Sequence, residues 1–344
     1  MSQCGMMILK GSDVLSLLTG RESELMDLVR ASYIAHARNK SMLPHSVFLR
    51  FPEDAKNRII ALPAYLGDDF QVAGIKWISS FPDNLALGLD RASAVVVLNS
   101  MQTGNPIALL EGSIISAKRT AASAVLAAQC LRAGPPATRV GLIGCGLINF
   151  EIVRFLLPTF PEIQELIVFD QVVDNALRFK KKVLESSERV RVEVAPDLKT
   201  VLGSASLISF ATTAGAPHVS DFSSLAPESA ILHISLRDLA PELILSCDNV
   251  VDDIDHVTRA QTSLHLAEQV TGHRRFIRCA LADVLQGHAA ARGARKTPTI
   301  FSPFGLGVLD LAIAQFAYER ASETGRGTMI ESFLPDPWLK RATL

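Results

Sequence analysis

A chain of 344 residues exceeds what one hydrophobic core serves, since single cores rarely grow beyond about 250–300 residues, so two domains are expected. With 34 basic against 35 acidic residues the formal charge is −1, which excludes a polybasic footprint and, with it, nucleic acid or an anionic membrane surface as principal partner; a small molecule is the expected ligand. Mean hydropathy is +0.25, yet the apolar runs are too short to cross a bilayer, and Lys10 and Asp13 interrupt the start before a secretory leader could form. Cys4, Cys130, Cys145, Cys247 and Cys279 lack CxxC spacing and the eight histidines form no HxxxH or HxH, so reduced thiols, a cytoplasmic setting and no metal site are expected.

Taken along the chain, Thr19-Gly20-Arg21-Glu22 reads as a capping box that opens a helix carrying Leu25, Leu28, Val29, Ser32, Tyr33 and His36 on one side. Short strands follow at 46–51, 58–62, 72–79 and 92–99, separated by turn signals at Gly67-Asp68-Asp69 and Pro82-Asp83-Asn84, and few helices interrupt them. An antiparallel or mixed sheet is expected. Lys76, set in the apolar strand Gly74-Ile75-Lys76-Trp77-Ile78, is either a snorkelling edge residue or a cation aimed into a cleft. Thr103-Gly104-Asn105-Pro106 turns into a strand at 107–110, and 113–131 reads as a long Ala-rich helix ended by Gly134-Pro135-Pro136. Arg119 and Lys118 sit on different faces of that helix, so one of the two is expected to point inward, and Lys118 better fits a solvated cation.

Beyond that break, strands at 139–143, 165–170, 190–194, 207–211, 231–234 and 249–251 alternate with helical stretches in the rhythm of a parallel sheet. Gly144-Cys145-Gly146 directly follows the first of them. Glycines there permit a tight turn and a close backbone approach to a pyrophosphate, and the helix opening at Leu147 and Ile148 aims unpaired N–H groups at the anion. Asn149 stands where the fingerprint wants a third small residue, and Pro158 is expected to stop the helix. Asp170 ends the second strand, where a carboxylate accepts from ribose hydroxyls and repels a 2′-phosphate. Gln171, Val172 and Val173 bring no cation, leaving Arg178 as the first arginine downstream, so NAD is favoured over NADP. Thr212-Thr213 and Arg237-Asp238 follow two other strands at the ligand-binding edge. The threonines are turn hydroxyls or contacts to nicotinamide or ribose, and Asp238 is either a proton acceptor or the N-cap of a short helix. A last helix at 308–322 could pack back on the first domain.

These segments, in this order, resemble the ornithine cyclodeaminase and mu-crystallin family over nearly the whole chain. The resemblance is carried by Ile60-Ala61-Leu62-Pro63-Ala64, Gly74-Ile75-Lys76, Thr103-Gly104-Asn105-Pro106, Arg119-Thr120-Ala121-Ala122, Gly144-Cys145-Gly146, His233-Ile234-Ser235 with Asp238, and Phe301-Ser302-Pro303-Phe304-Gly305. It implies an α/β fold: a Rossmann-type NAD-binding domain at 119–307 and a discontinuous α+β substrate-binding and dimerisation domain at 1–118 completed by 308–344. It further implies that Lys76 and Arg119 hold substrate carboxylate, that Asp238 is the catalytic acid, and that Gly144, Cys145, Gly146, Leu147, Ile148, Asp170, Thr212, Thr213, Ser235 and Gly305 face the cofactor.

Three stretches, 44–50, 76–82 and 110–117, look most like one branch, which oxidises a conjugate of glutamate and 2,3-diaminopropionate with NAD in siderophore and peptide-antibiotic pathways. The departures point the same way. His45 replaces the cyclodeaminases' arginine, an aliphatic residue near Ile60 replaces the glutamate that greets an ornithine amine, and Arg237 replaces a glycine. A ligand with several carboxylates then suits Arg50, Arg91, Arg119, Arg237 and Lys76, arginine being matched to bidentate grip on a carboxylate. The expected enzyme is a homodimer that transfers hydride to NAD and hydrolyses the ketimine. The alternatives are a cyclodeaminase or a ketimine or amino-acid reductase, and a non-catalytic mu-crystallin-like binder of dinucleotide and small ligand.

Overall fold

Alternation of buried and exposed side chains builds the first sheet, and continuous apolar runs build the second. The computed structural model describes residues 5–132, 134 and 136–338; Cys4 and Pro135 lie outside the described residues. The chain divides into two units, the first holding Met1–Arg21, Arg38–Ser116 and Leu306–Leu344, the second Glu22–Ala37 and Ala117–Gly305. The segment 22–37, counted in the sequence with the first domain, clusters with the second. Its buried side explains this: the Tyr33 hydroxyl bonds Ser123 Oγ at 2.7 Å and His36 Nε2 lies 3.2 Å from Asp253.

In the first unit the strands are β1 (Met6–Leu9), β2 (Ser41–Met42), β3 (Val47–Phe51), β4 (Asp54–Leu66), β5 (Val72–Ser80), β6 (Ala94–Asn99) and β7 (Pro106–Glu111). The sheet runs from the C-terminal strand Thr328–Ile330 through β1, β7, β6, β5 and β4 to β2, with β3 also paired to β4. The β1–β7 pair is parallel and the others antiparallel, a mixed sheet. Leu62, Ala64, Leu66, Val72, Val96 and Leu98 bury one face, against which the helix Gly307–Thr324 packs. Gly74 shows how tight that layer is: an added Cβ would stand 2.2 Å from the Val97 carbonyl oxygen and 3.2 Å from Leu311.

Eight parallel strands make the second unit: β8 (Arg139–Ile143), β9 (Glu165–Phe169), β10 (Arg191–Val194), β11 (Leu207–Phe210), β12 (Ala230–His233), β13 (Asp248–Val251), β14 (Ile277–Ala280) and β15 (Thr299–Ser302). Their order is β10-β9-β8-β11-β12-β15-β13-β14. It reverses between β8 and β11, and the crevice at the carboxyl ends of those two strands is where this topology binds ligands.

Three local expectations are corrected. Thr19 caps no helix start: it ends the helix Gly11–Leu18, its hydroxyl donating to the Leu15 carbonyl at 2.7 Å, and the next helix begins at Glu22. Pro158 does not stop its helix, which runs Leu147–Thr159; proline only removes the N–H that would reach the Arg154 carbonyl one turn back, and the Leu157 carbonyl at the helix end accepts from Arg189. The helix Gly11–Leu18 and the strands β1, β14, β15 and Thr328–Ile330 were not expected.

Candidate functional site

In the second unit, Gly144 turns the chain at the end of β8 with φ +88°, and an added Cβ would stand 2.4 Å from the Ala211 carbonyl oxygen of the neighbouring loop. Only glycine fits there. Gly146 is the N-cap of Leu147–Thr159, and its missing side chain faces open space. The first-turn N–H groups of that helix, at Leu147 and Ile148, have no carbonyl four residues back and remain to meet an anion. Asp170 reaches back across the turn, accepting from Cys145 N–H at 2.9 Å and Val172 N–H at 3.0 Å. Arg178 does not reach it: the guanidinium bonds Asn175, whose amide in turn donates to Asp170 at 3.2 Å. Asn149, fully buried, explains its departure from the fingerprint. Its amide donates to the Ile143 and Gly144 carbonyls at 3.0 and 2.7 Å and accepts from Ser209 at 2.7 Å, tying the glycine turn to β11. These residues fit a dinucleotide: a cradle that a side chain would fill, a helix N-terminus beyond it, and a carboxylate at the ribose position.

Asp238 is fully buried on the loop after β12. The helix Pro241–Ser246 takes Ala240 as its N-cap, so the capping role for Asp238 is overturned. Instead, Oδ1 accepts from the Thr212 hydroxyl and faces His218 Nε2 at 3.2 Å, while Oδ2 accepts from the Ser235 hydroxyl and faces His233 Nε2 at 3.3 Å. Burial alone raises a carboxyl, but His233, Ser235 and Thr212 outweigh it and hold Asp238 well below the usual carboxylate range. His233 cannot both donate to Oδ2 and accept the Asp238 N–H, as it does at 3.3 Å, with Nδ1 on Ser302 Oγ at 3.2 Å. The Ser235 and Thr212 hydroxyls donate to the carboxylate in either tautomer. Thr212 and Ser235 thus turn their hydroxyls to Asp238; Thr213 is exposed beside them. Leu236, two residues before Asp238, is held at φ +67°, a left-handed conformation costly for leucine.

Arg237 donates to the Ala260 carbonyl at 2.7 Å. Arg119 lies against Gly305, where an added Cβ would stand 2.7 Å from its Nη1; Gly305 has φ +94°. The Gly305 and Phe304 N–H groups donate to buried Asp252 at 2.7 and 2.8 Å, and burial pushes that carboxyl up to about 6 despite these donors. Lys118 corrects another expectation. It is fully buried and pairs with Glu151 at 3.2 Å, because the helix Ser113–Leu131 is surrounded by protein and Ala121, Ala122, Ala124, Val125 and Ala128 are buried on all its sides.

In the first unit Lys76 is only 2 % exposed, and β5 lies between β4 and β6, so it is no edge residue. Its ammonium donates to Asp310 at 2.7 Å and to Ser116 Oγ at 3.2 Å. The same sheet face carries arginines. Arg50 and Arg58 are direct cross-strand partners, Arg58 is opposite Ser80, and Arg91 donates to Ser80 Oγ at 3.2 Å. Burial and then the Arg50 charge depress Arg58, and burial and then Arg58 depress Arg91, the mark of like charges gathered out of water. His45 is exposed between β2 and β3. Sequence reasoning missed Arg58, Asp310, His218 and the role of His233. Only His218 left a signal, an imidazole on the loop after a strand that ends at the ligand edge. No group of side chains suited to a metal ion occurs among the described residues, and no described helix is long and apolar enough to cross a membrane.

The model of the ornithine cyclodeaminase/mu-crystallin family matches residues 6–325. The chain is 28% identical to the N-((2S)-2-amino-2-carboxyethyl)-L-glutamate dehydrogenase of Staphylococcus aureus, over 95% of this chain and 99% of the relative. An archaeal alanine dehydrogenase dimer with bound NAD superposes with a TM-score of 0.84 at 26% identity, covering 95% of this chain and 99% of that one. The Δ(1)-pyrroline-2-carboxylate reductase of Thermococcus litoralis, in complex with NADH and L-proline, shares the fold with a TM-score of 0.86 at 24% identity, over 94% and 99% of the two chains. With the glycine turn, the buried aspartate and the whole-length match together, the chain belongs to the ornithine cyclodeaminase/mu-crystallin family.

Proposed function

We propose that the chain is an NAD-dependent oxidoreductase acting on an amino-acid C–N bond, and that its reaction is the oxidative cleavage of N-((2S)-2-amino-2-carboxyethyl)-L-glutamate to L-2,3-diaminopropionate and 2-oxoglutarate. The observation that carries the choice of substrate is the arginine row Arg50, Arg58 and Arg91. Like charges directly opposite across strands destabilise a sheet, and of the three Arg58 and Arg91 are partly buried, so an anion with more than one carboxylate would relieve the row. A diamino acid with one carboxylate gives no such relief. The whole-length likeness to the dehydrogenase of that activity supports the same reading.

When bound, NAD supplies the acceptor for the hydride that leaves the glutamate Cα. Gly144, Gly146 and the N–H groups of Leu147 and Ile148 hold its pyrophosphate, and Asp170 takes the ribose hydroxyls and selects against a 2′-phosphate. Lys76 and Arg119 bind substrate carboxylate, Lys76 being fixed in place by Asp310. Arg50, Arg58 and Arg91 take the further carboxylates. Proton transfer to and from the substrate nitrogen and the hydrolytic water is centred on Asp238 and its neighbours.

Self-association belongs to this reading. Val47, Ala61, Trp77 and Val95 stand side by side across β3, β4, β5 and β6 on the face turned away from Lys76, and Val47, Trp77 and Val95 are exposed. An apolar row of this kind suits a second copy across a homodimer. The function is tested by offering the conjugate, ornithine, alanine and proline with NAD⁺ and following reduced nicotinamide. The proposal expects reduction with the conjugate and little with the others. Reduction with a one-carboxylate amino acid alone, or ornithine consumed without net reduction, contradicts it.

A further inference from the structure

We infer that the proton in this reaction is carried by His218, with Asp238 as the positioning residue behind it; the inference rests on the function proposed above. Asp238 is 0 % exposed; its Oδ1 is engaged by the Thr212 hydroxyl and the His218 imidazole and its Oδ2 by the Ser235 hydroxyl. A carboxylate held so firmly in its charged form is a weak base, and a substrate arriving from solvent does not meet it. His233 is equally buried and is closed on both sides, with Nδ1 on Ser302 and Nε2 on the Asp238 N–H.

His218 differs from both. Its side chain is 32 % exposed, and its Nε2 sits 3.2 Å from Asp238 Oδ1. The backbone straps it there: the His218 and Val219 N–H groups both donate to the Asp238 carbonyl at 2.9 Å, and the Ala240 N–H returns to the Val219 carbonyl at 2.8 Å. Among the described residues Nδ1 of His218 has no hydrogen-bond partner, and Asp238 is the charged side chain within hydrogen-bond distance; Arg237 is turned onto Ala260. A buried carboxylate that accepts from one ring nitrogen fixes the tautomer and leaves a lone pair on the other, which is the geometry of an oriented base. Imidazole can also take a proton on one ring nitrogen and return it from there while the other nitrogen stays hydrogen-bonded.

In the hydrolytic half, water adds to the carbon of the N-protonated ketimine that hydride loss from the neutral secondary amine leaves. The new C–O bond forms as the C=N π pair withdraws to nitrogen, and the proton lost by water goes to His218 Nδ1. The imidazolium returns that proton to the carbinolamine nitrogen; the C–N bond then breaks with its pair leaving on nitrogen as the hydroxyl oxygen closes the C=O bond, and the hydroxyl proton passes through His218 Nδ1 to the departing amine, releasing it as an ammonium beside the 2-oxo acid. No net proton or electron stays on the protein.

The test joins nitrogen NMR of histidine-labelled wild type and Asp238→Asn with kinetics of His218→Gln, whose amide still donates to Asp238 but takes up no proton. We expect wild-type His218 to carry its proton on Nε2, and to lose that preference in Asp238→Asn. In His218→Gln, NADH affinity should stay within about twofold, kcat should fall by roughly 10²–10⁴-fold, and the acidic limb of the pH profile should vanish. A wild-type His218 protonated on Nδ1, a His218→Gln kcat near that of wild type, or a reduced kcat that keeps the acidic limb overturns the assignment. If wild type does not oxidise the conjugate, the proposed function falls, and the NMR result alone decides the histidine–aspartate pair.

Discussion

Replacing Asp310 by Asn removes the carboxylate that Lys76 meets at 2.7 Å, in a place where Lys76 is 2 % and Asp310 0 % exposed. An ammonium already out of water then loses its counter-charge, and breaking a buried pair from one side costs about 3–5 kcal/mol. Lys76→Met takes the ammonium away from Asp310, a buried carboxylate on the helix Gly307–Thr324, at a similar cost. Removing both, as Lys76→Met with Asp310→Leu, deletes two desolvated charges together and should return stability to within about 1 kcal/mol of wild type, since apolar replacement of buried pairs is often neutral or favourable. Urea unfolding of the four proteins gives the cycle. Turnover separates stability from function, because the double variant should be as stable as wild type and yet inactive, having lost the cation that binds carboxylate. Additive single losses in the double variant would refute the buried-pair argument, and an active double variant would refute the role of Lys76.

Asp238→Asn should lower turnover by roughly 10²–10⁴-fold while NADH binding by fluorescence titration stays near wild type. Gly144→Ala should unfold or strongly destabilise the second unit, because its Cβ meets the Ala211 carbonyl, whereas Gly146→Ala, facing open space, should melt like wild type but bind NADH more weakly. Arg58→Gln should raise KM for the conjugate by about 10–100-fold, the equivalent of about 1.5–3 kcal/mol for a hydrogen bond to a charged group, and should not lower thermal stability, since it relieves the repulsion with Arg50. Asp252 gives a pH signature. Its carboxyl is raised in the fold from 3.8 to about 6, so between those values the unfolded chain gives up the proton first, and stability falls as pH rises. The loss is about 3 kcal/mol at 1.36 kcal/mol per unit, and Asp252→Asn should flatten the slope measured by denaturation across that window.

What the sequence discloses is the part governed by local rules. The turn at Gly144, the helix Ser113–Leu131 and six strands of the parallel sheet, β8 to β13, follow from period and punctuation, and the sites at strand ends follow from the topology that rhythm implies. Hidden were features set by partners far along the chain. The run Met6–Leu9 becomes a strand only because Pro106–Glu111 and Thr328–Ile330 flank it. Lys118 looked solvated because one wet face was assumed for its helix, but small alanines let that helix be buried all round, and Glu151 supplies the missing charge. Asp310 was invisible for the same reason, in the first two turns of a helix, 307–314, that are buried on every side. Asn149 looked like a defect in the glycine fingerprint; its amide hydrogen bonds, which no spacing rule encodes, make it a brace.

The most direct measurement is a crystal structure of the protein with NADH and the glutamate conjugate. The account predicts the pyrophosphate on the N–H groups that follow Gly146, and the substrate nitrogen within hydrogen-bond reach of His218, itself on Asp238. A dinucleotide seated away from the Gly144 turn, or a substrate nitrogen remote from the loop that carries His218, would contradict it.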